Sequence, residues 1–114
     1  MFKLSKKDSE NGKKINKTIN SLVRKIVKKI PVRKIILFGS CARGDWHEGS
    51  DIDLIVVGDF REDFFSRINN ILTLCDSDIP LEVLAYTPKE FEDMIKCRNY
   101  FIKQVLSEGK VLYG

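Results

Sequence analysis

Apolar residues recur along this chain at two periods, and the changes of period divide it into elements. From Lys13 to Ile30 the apolar positions are Ile15, Ile19, Leu22, Val23, Ile26, Val27 and Ile30. This spacing fits one helical face, with Lys13, Lys14, Lys17, Arg24, Lys25, Lys28 and Lys29 on the other. Pro31 ends the helix, because it lacks an N–H and biases the preceding residue away from helical dihedrals. Val32–Phe38 is then apolar and β-branched beyond Arg33-Lys34, as a buried strand is, and Gly39-Ser40 closes it. Cys41–Asp45 predicts a short helical turn and Trp46–Ser50 a loop.

Asp51–Val57 predicts a second strand, with Gly58-Asp59 as its turn. Glu62–Cys75 carries Phe64, Phe65, Ile68, Ile71, Leu72 and Cys75 at helical spacing. Leu81–Tyr86 predicts a third strand. Thr87-Pro-Lys-Glu90 is a helix start with a capping box and proline at the first helical position, opening a helix over 88–96. A further helix at Arg98–Ser107 places Phe101, Ile102, Val105 and Leu106 on one face, and Lys110–Tyr113 adds a short strand. The order is α-β-turn-β-α-β-α-α-β. It predicts a small α/β domain with a mixed sheet and helices packed mainly on one face.

At 114 residues, one domain is expected, with 1–12 a flexible basic start and 13–114 the folded unit. The net charge of +4 hides an asymmetry: residues 1–34 carry 12 Lys/Arg against 2 Asp/Glu, a balance of +10, and residues 35–114 carry 8 against 14, a balance of −6. A basic helix thus precedes an acidic body. The basic face is ordinarily a solvated helix face, and few aromatics interleave with it for base stacking, which argues against a nucleic-acid partner. No apolar run approaches the roughly 18 residues of a membrane span. The Lys-rich start has neither an apolar core nor a cleavage site of a secretory signal. Three cysteines, Cys41, Cys75 and Cys97, lie far apart with no CxxC pair, which disfavours a zinc site or disulfide frame and suits the cytoplasm.

The chemistry gathers between Phe38 and Leu54. Asp51 and Asp53, spaced i and i+2, would share one face of a strand. Two carboxylates that close repel each other unless a cation lies between them, and hard oxygen ligands suit Mg²⁺. A solvated pair at a strand end fits the same residues equally well. An EF-hand beginning at Asp51 fails, because Ile55 stands where a polar ligand is needed and Val56 where glycine is needed. Gly39-Ser40 suits either a plain turn or a phosphate turn. Gly39 and Gly44 have Walker A spacing, but Asp45 and Trp46 stand where Lys and Ser/Thr belong, so this is not a P-loop. Glu82, alone among apolar neighbours in its strand, is either an edge residue or a third acid of the cluster. His47 is the only histidine and is expected in solvent. Trp46 could stack on a base or pack, and Cys41 is expected to be a small buried residue rather than a nucleophile.

The string Gly39-Ser40-Cys-Ala42-Arg43-Gly44, then Ser50-Asp51-Ile52-Asp53-Leu54, then an acid on the next strand, resembles the nucleotidyltransferase superfamily of the DNA polymerase β type. The small size resembles its minimal nucleotidyltransferase branch. The resemblance covers about Val32–Phe91. It implies that Gly39 and Ser40 hold a triphosphate, with Arg43 and Ser50 beside them, Arg43 also being placed to buttress the acidic loop. It implies that Asp51 and Asp53 ligate two Mg²⁺ ions and that Glu82 is the third catalytic and metal-binding acid. The implied reaction moves AMP from ATP to a hydroxyl. Members of this branch accompany helical HEPN-type toxins as antitoxins and modify a toxin tyrosine, so such a toxin is the implied partner. A homo-oligomer is a further possibility, and no membrane is involved. The alternatives are transfer to a small hydroxyl compound such as an aminoglycoside, or a non-catalytic antitoxin that acts by binding.

Overall fold

The computed structural model describes residues 10–47 and 49–114. One four-stranded sheet organises it, built from β1 (Val32–Phe38), β2 (Ile52–Gly58), β3 (Leu81–Tyr86) and β4 (Lys110–Tyr113) in the order β3-β2-β1-β4. β1 runs antiparallel to both β2 and β4, and β2 runs parallel to β3. A parallel neighbour requires a crossover, and α3 (Phe64–Leu74) supplies it between β2 and β3. The remaining helices are α1 (Glu10–Lys29), the single turn α2 (Ser40–Arg43), α4 (Pro88–Lys96) and α5 (Tyr100–Glu108). α1 begins at Glu10, so residues 10–12 of the expected loose start are helical, and residues 1–9 lie outside the described residues. No helix among the described residues is long and apolar enough to cross a membrane.

The central strands read as apolar runs rather than alternations because both faces of the sheet are covered. On one face, Ile15, Ile19, Leu22 and Ile26 of α1 and Ile71 of α3 pack on Ile35, Leu37, Ile52, Leu54 and Val56. This is the larger part of the core. On the other face a smaller cluster sets Phe91 of α4 and Ile102 and Val105 of α5 against Ile36, Ile55 and Val57. Successive β2 residues therefore alternate between two buried layers, Ile52–Leu54–Val56 and Asp53–Ile55–Val57. Asp53 opens the second series, and it is only half-buried where Ile55 and Val57 are buried.

Local chemistry fixes the helix starts. Asp63 caps α3 by accepting from Ser66 N at 2.8 Å. The Thr87 capping box forms as the sequence predicts: Glu90 N donates to Thr87 Oγ1 at 3.2 Å and Thr87 N to Glu90 Oε1 at 2.8 Å. Asn99 caps α5, accepting from Ile102 N at 3.1 Å, so the helix begins at Tyr100, two residues past the predicted start at 98. One buried cation joins three elements. Arg67 of α3 donates to Glu62 O at 2.8 Å, to Ala85 O of β3 at 3.3 Å and to Glu90 Oε1 of α4 at 2.6 Å. Its guanidinium also lies over the Phe60 ring, 5.5 Å from the centroid.

Candidate active site

β1 ends at Phe38 and the chain turns at Gly39, whose φ of 75° and ψ of −160° belong to glycine alone. A Cβ at Gly39 would strike a carboxylate oxygen of Asp53, so the missing side chain is what lets the turn lie against that acid. The next residues coil at once into α2: Ala42 N and Arg43 N both donate to Gly39 O at 3.1 Å. Gly44, at φ 88°, ends the turn by donating to Ser40 O at 3.0 Å.

The following loop folds back on α2. Ser40 Oγ donates to Ser50 Oγ at 3.0 Å, and His47 N donates to the same oxygen at 2.8 Å. Ser50 is buried. A hydroxyl offers one donor and two acceptor positions, so with both acceptor positions filled the Ser50 proton is left to donate. Cys41 Sγ donates to Asp51 O at 3.4 Å. These two contacts staple the turn after β1 to the residues that lead into β2.

Parallel register places Asp53 of β2 beside Glu82 of the edge strand β3, and antiparallel register places it beside Phe38 of β1. Asp51 lies one residue before β2 rather than inside it, half-exposed. Asp53 is the strained member: burial first, then a hydrogen bond and charge from Glu82 and the charge of Asp51, raise its pKa to about 7, with Arg43 opposing. Asp53 therefore keeps its proton to a higher pH than an ordinary carboxyl does. Glu82 is exposed on the edge strand β3, in register with Asp53.

Among the described residues no three His, Cys, Asp or Glu side chains form a ready metal cage. The donor set still fits Mg²⁺. That ion takes one or two carboxylates and completes its shell with water and substrate phosphates, and Asp53 with Glu82 supplies such a pair beside an open glycine turn.

The neighbours sort by contact. Arg43 is held at 3.3 Å from Asp45 and at 3.5 Å from Glu108 of α5, so it ties the turn to that helix. Cys41 is fully buried, and burial plus the charges of Asp53 and Asp51 raise its thiol to about 11, which keeps it protonated at neutral pH. His47 is exposed, its Nδ1 accepting from Gly49 N at 3.1 Å. Trp46 is buried in the α1-side core, which removes it as a base-stacking platform. Two features escape sequence reasoning. Lys14, which the pattern assigns to the solvated face of α1, lines a cavity of about 260 Å³ together with His47 and Ser50. Phe101 of α5 meets Phe38 edge-on, 5.5 Å between ring centroids, directly beside the Asp53 position.

Comparison with known proteins identifies the family and the fold. Residues 19–112 match the nucleotidyltransferase domain family model. The chain is 39% identical over 82 residues to the "Putative protein adenylyltransferase MJ0604" of Methanocaldococcus jannaschii, an alignment spanning 72% of this chain and 79% of that protein. It shares its fold with the MntA-HepT toxin-antitoxin crystal structure: TM-score 0.53, 21% identity, 87% of this chain and 72% of the other. A toxin-antitoxin crystal structure with AMP-PNP aligns at TM-score 0.51 and 25% identity, over 86% and 72% of the two chains. With most of its length matched by the family model, and Asp53 and Glu82 set side by side next to a glycine turn, this chain belongs to the nucleotidyltransferase domain family.

Proposed function

We propose that this nucleotidyltransferase moves AMP from ATP to a protein hydroxyl, and that the acceptor is a tyrosine of a helical HEPN-type toxin. The observation that carries the site reading is the parallel register that sets Asp53 against Glu82, with the Gly39 turn against the Asp53 carboxylate. The protein acceptor rests on the 39% identical relative named as a protein adenylyltransferase, and ATP on the toxin-antitoxin relative crystallised with AMP-PNP. The toxin rests on the MntA-HepT fold likeness together with the sequence motif. Three free cysteines fit a reducing compartment such as the cytoplasm.

The chain's own groups divide the work. The backbone of the Gly39 turn lets phosphate approach closely, and the Ser40–Ser50 pair offers an O–H to it. Arg43 buttresses the turn through Asp45 and Glu108. Asp51, Asp53 and Glu82 would hold Mg²⁺, which supplies charge neutralisation for the phosphates and the leaving pyrophosphate. The acceptor oxygen attacks the α-phosphorus, the bond from that phosphorus to the bridging oxygen breaks, and pyrophosphate leaves. Glu82, the exposed member of the acid pair, takes the acceptor's proton on its carboxylate.

The test is incubation with ATP labelled at the α-phosphate, Mg²⁺ and a helical HEPN-type protein from the same genome. Label is expected on a tyrosine of that protein. Label on a small hydroxyl compound alone, or growth rescue by an Asp53→Asn variant that transfers nothing, would replace the proposal with one of its alternatives.

A further inference from the structure

The apolar residues of α5 do not all face inward. Ile102 and Val105 are buried, while Tyr100 is 81% exposed, Leu106 49% and Phe101 36%. Leu106 and Ile95 of α4 stand over Ile102 to form a groove of about 230 Å³ between the two helices, completed by Arg98, Asn99 and Lys103. Its floor is apolar and its rim is cationic. Neither Arg98 nor Lys103 enters an ion pair among the described residues, whereas the α4 lysines are occupied: Lys89 with Asp93 and Lys96 with Glu92, each at 3.0 Å.

Arg98 carries a second signal. It is the only non-glycine residue with positive φ among the described residues, at 54°. Glycine would take that conformation without strain, yet the position keeps a long cationic side chain beside the groove.

The helix that forms one wall of the groove also reaches the active site. Next to it, Phe101 touches Phe38, the cross-strand neighbour of Asp53. At the far end of α5, Glu108 pairs with Arg43 of the phosphate turn. A protein seated on α5 therefore sits beside the acids.

We infer that the α4–α5 groove docks an acidic amphipathic helix of the protein that accepts the nucleotide. This rests on the reading of the acceptor as a protein. A cleft between two helices suits a third helix laid along it, with apolar anchors at i, i+3 or i+4, and i+7. The nine residues of α5 offer about 13 Å of contact, two helical turns. The charge of the rim selects the occupant. Asp or Glu flanking the anchors would meet Arg98 and Lys103, whereas a second copy packed groove to groove would bring four cations together.

The test uses the full chain carrying Asp53→Asn, so that no chemistry intervenes. It is titrated by fluorescence anisotropy with two short helical peptides that share Leu at i, i+3, i+4 and i+7. One has Glu on its flanks and the other Lys. The Glu peptide is expected to bind and the Lys peptide not. Leu106→Asp is expected to weaken binding at least about tenfold, as loss of a central anchor does. Arg98→Gly is expected to weaken it several-fold without lowering Tm, because glycine relieves the positive φ. Equal binding of both peptides, binding of neither, or indifference to both substitutions would overturn the docking site. So would sedimentation showing a dimer that Leu106→Asp converts to monomer, since the groove would then be filled by a second copy. Peptide binding without AMP transfer to any protein would count against the proposed acceptor and leave the groove's recognition of acidic helices standing.

Discussion

Gly39→Ala is the substitution whose effect the structure defines most sharply. Two costs arise at once. The backbone at φ 75° and ψ −160° lies where side-chain-bearing residues are sparsely found, a strain of about 1–3 kcal/mol. The added Cβ would also collide with the Asp53 carboxylate, so that either the turn or the acid must move. For a domain of this size each kcal/mol corresponds to roughly 4–8 °C in Tm, so a loss of at least about 4 °C is expected by thermal unfolding. The effect on catalysis should be larger in proportion, because displacing a reacting group by about 1 Å can cost roughly a hundredfold in rate. Transfer of α-labelled AMP, measured well below both melting temperatures, is therefore expected to fall by about two orders of magnitude in kcat. Gly49→Ala is the control. Its Cβ would meet only the His47 ring, at 3.3 Å on an exposed loop, and both readouts should stay near wild type. Repeating Gly39→Ala in an Asp53→Ala background removes the collision and leaves the backbone strain, so the stability loss should shrink without vanishing. Wild-type Tm and turnover in Gly39→Ala would refute the claim that the turn must lie against Asp53.

Other expectations follow from the same contacts. Because the folded-state pKa of Asp53 is raised to about 7, the metal-free protein holds a proton that the unfolded chain has already released. Its stability should fall as pH rises from about 4 to about 7 and then level off. Mg²⁺ competes with that proton, so its stabilisation in thermal unfolding should be larger at pH 8 than at pH 5; equal shifts would argue against a carboxylate-bound ion. Arg67→Met should lower stability by at least about 1.5–3 kcal/mol in urea unfolding, the worth of a single hydrogen bond from a charged group, since it removes three of them, two of which join α3 to β3 and α4. Iodoacetamide at pH 7.5 should alkylate exposed Cys97 and spare Cys41, as peptide mapping would read; rapid loss of the Cys41 thiol would contradict its buried, anion-flanked setting.

The elements were legible because their signals are local. The α1 stripe, the glycine punctuation and the Thr87 capping box each depend on residues a few positions apart, and each is found as read. The pairing of Asp53 with Glu82 depends on register between strands joined by a whole crossover, which no local pattern carries; motif resemblance alone supplied it. Spacing put Asp51 and Asp53 on one face of a strand; β2 begins at Ile52, and its parallel register sets Glu82 beside Asp53. Periodicity placed Phe101, Ile102, Val105 and Leu106 on one face of α5. Ile102 and Val105 are buried, Phe101 reaches the sheet only at its edge through Phe38, and Leu106 faces outward. Arg67 gave no signal, because a cation at helical spacing reads as solvated until Glu90 and the Ala85 carbonyl are brought to it.

The central claim is that the Asp53–Glu82 pair performs the transfer. Its most direct test is the turnover of α-labelled ATP by wild type, Asp53→Asn and Glu82→Gln, each shown by circular dichroism to be folded and assayed with Mg²⁺ and the same acceptor. Both variants should lose about a hundredfold or more in kcat. Full turnover by either would remove that carboxylate from the site, and full turnover by both would contradict the account.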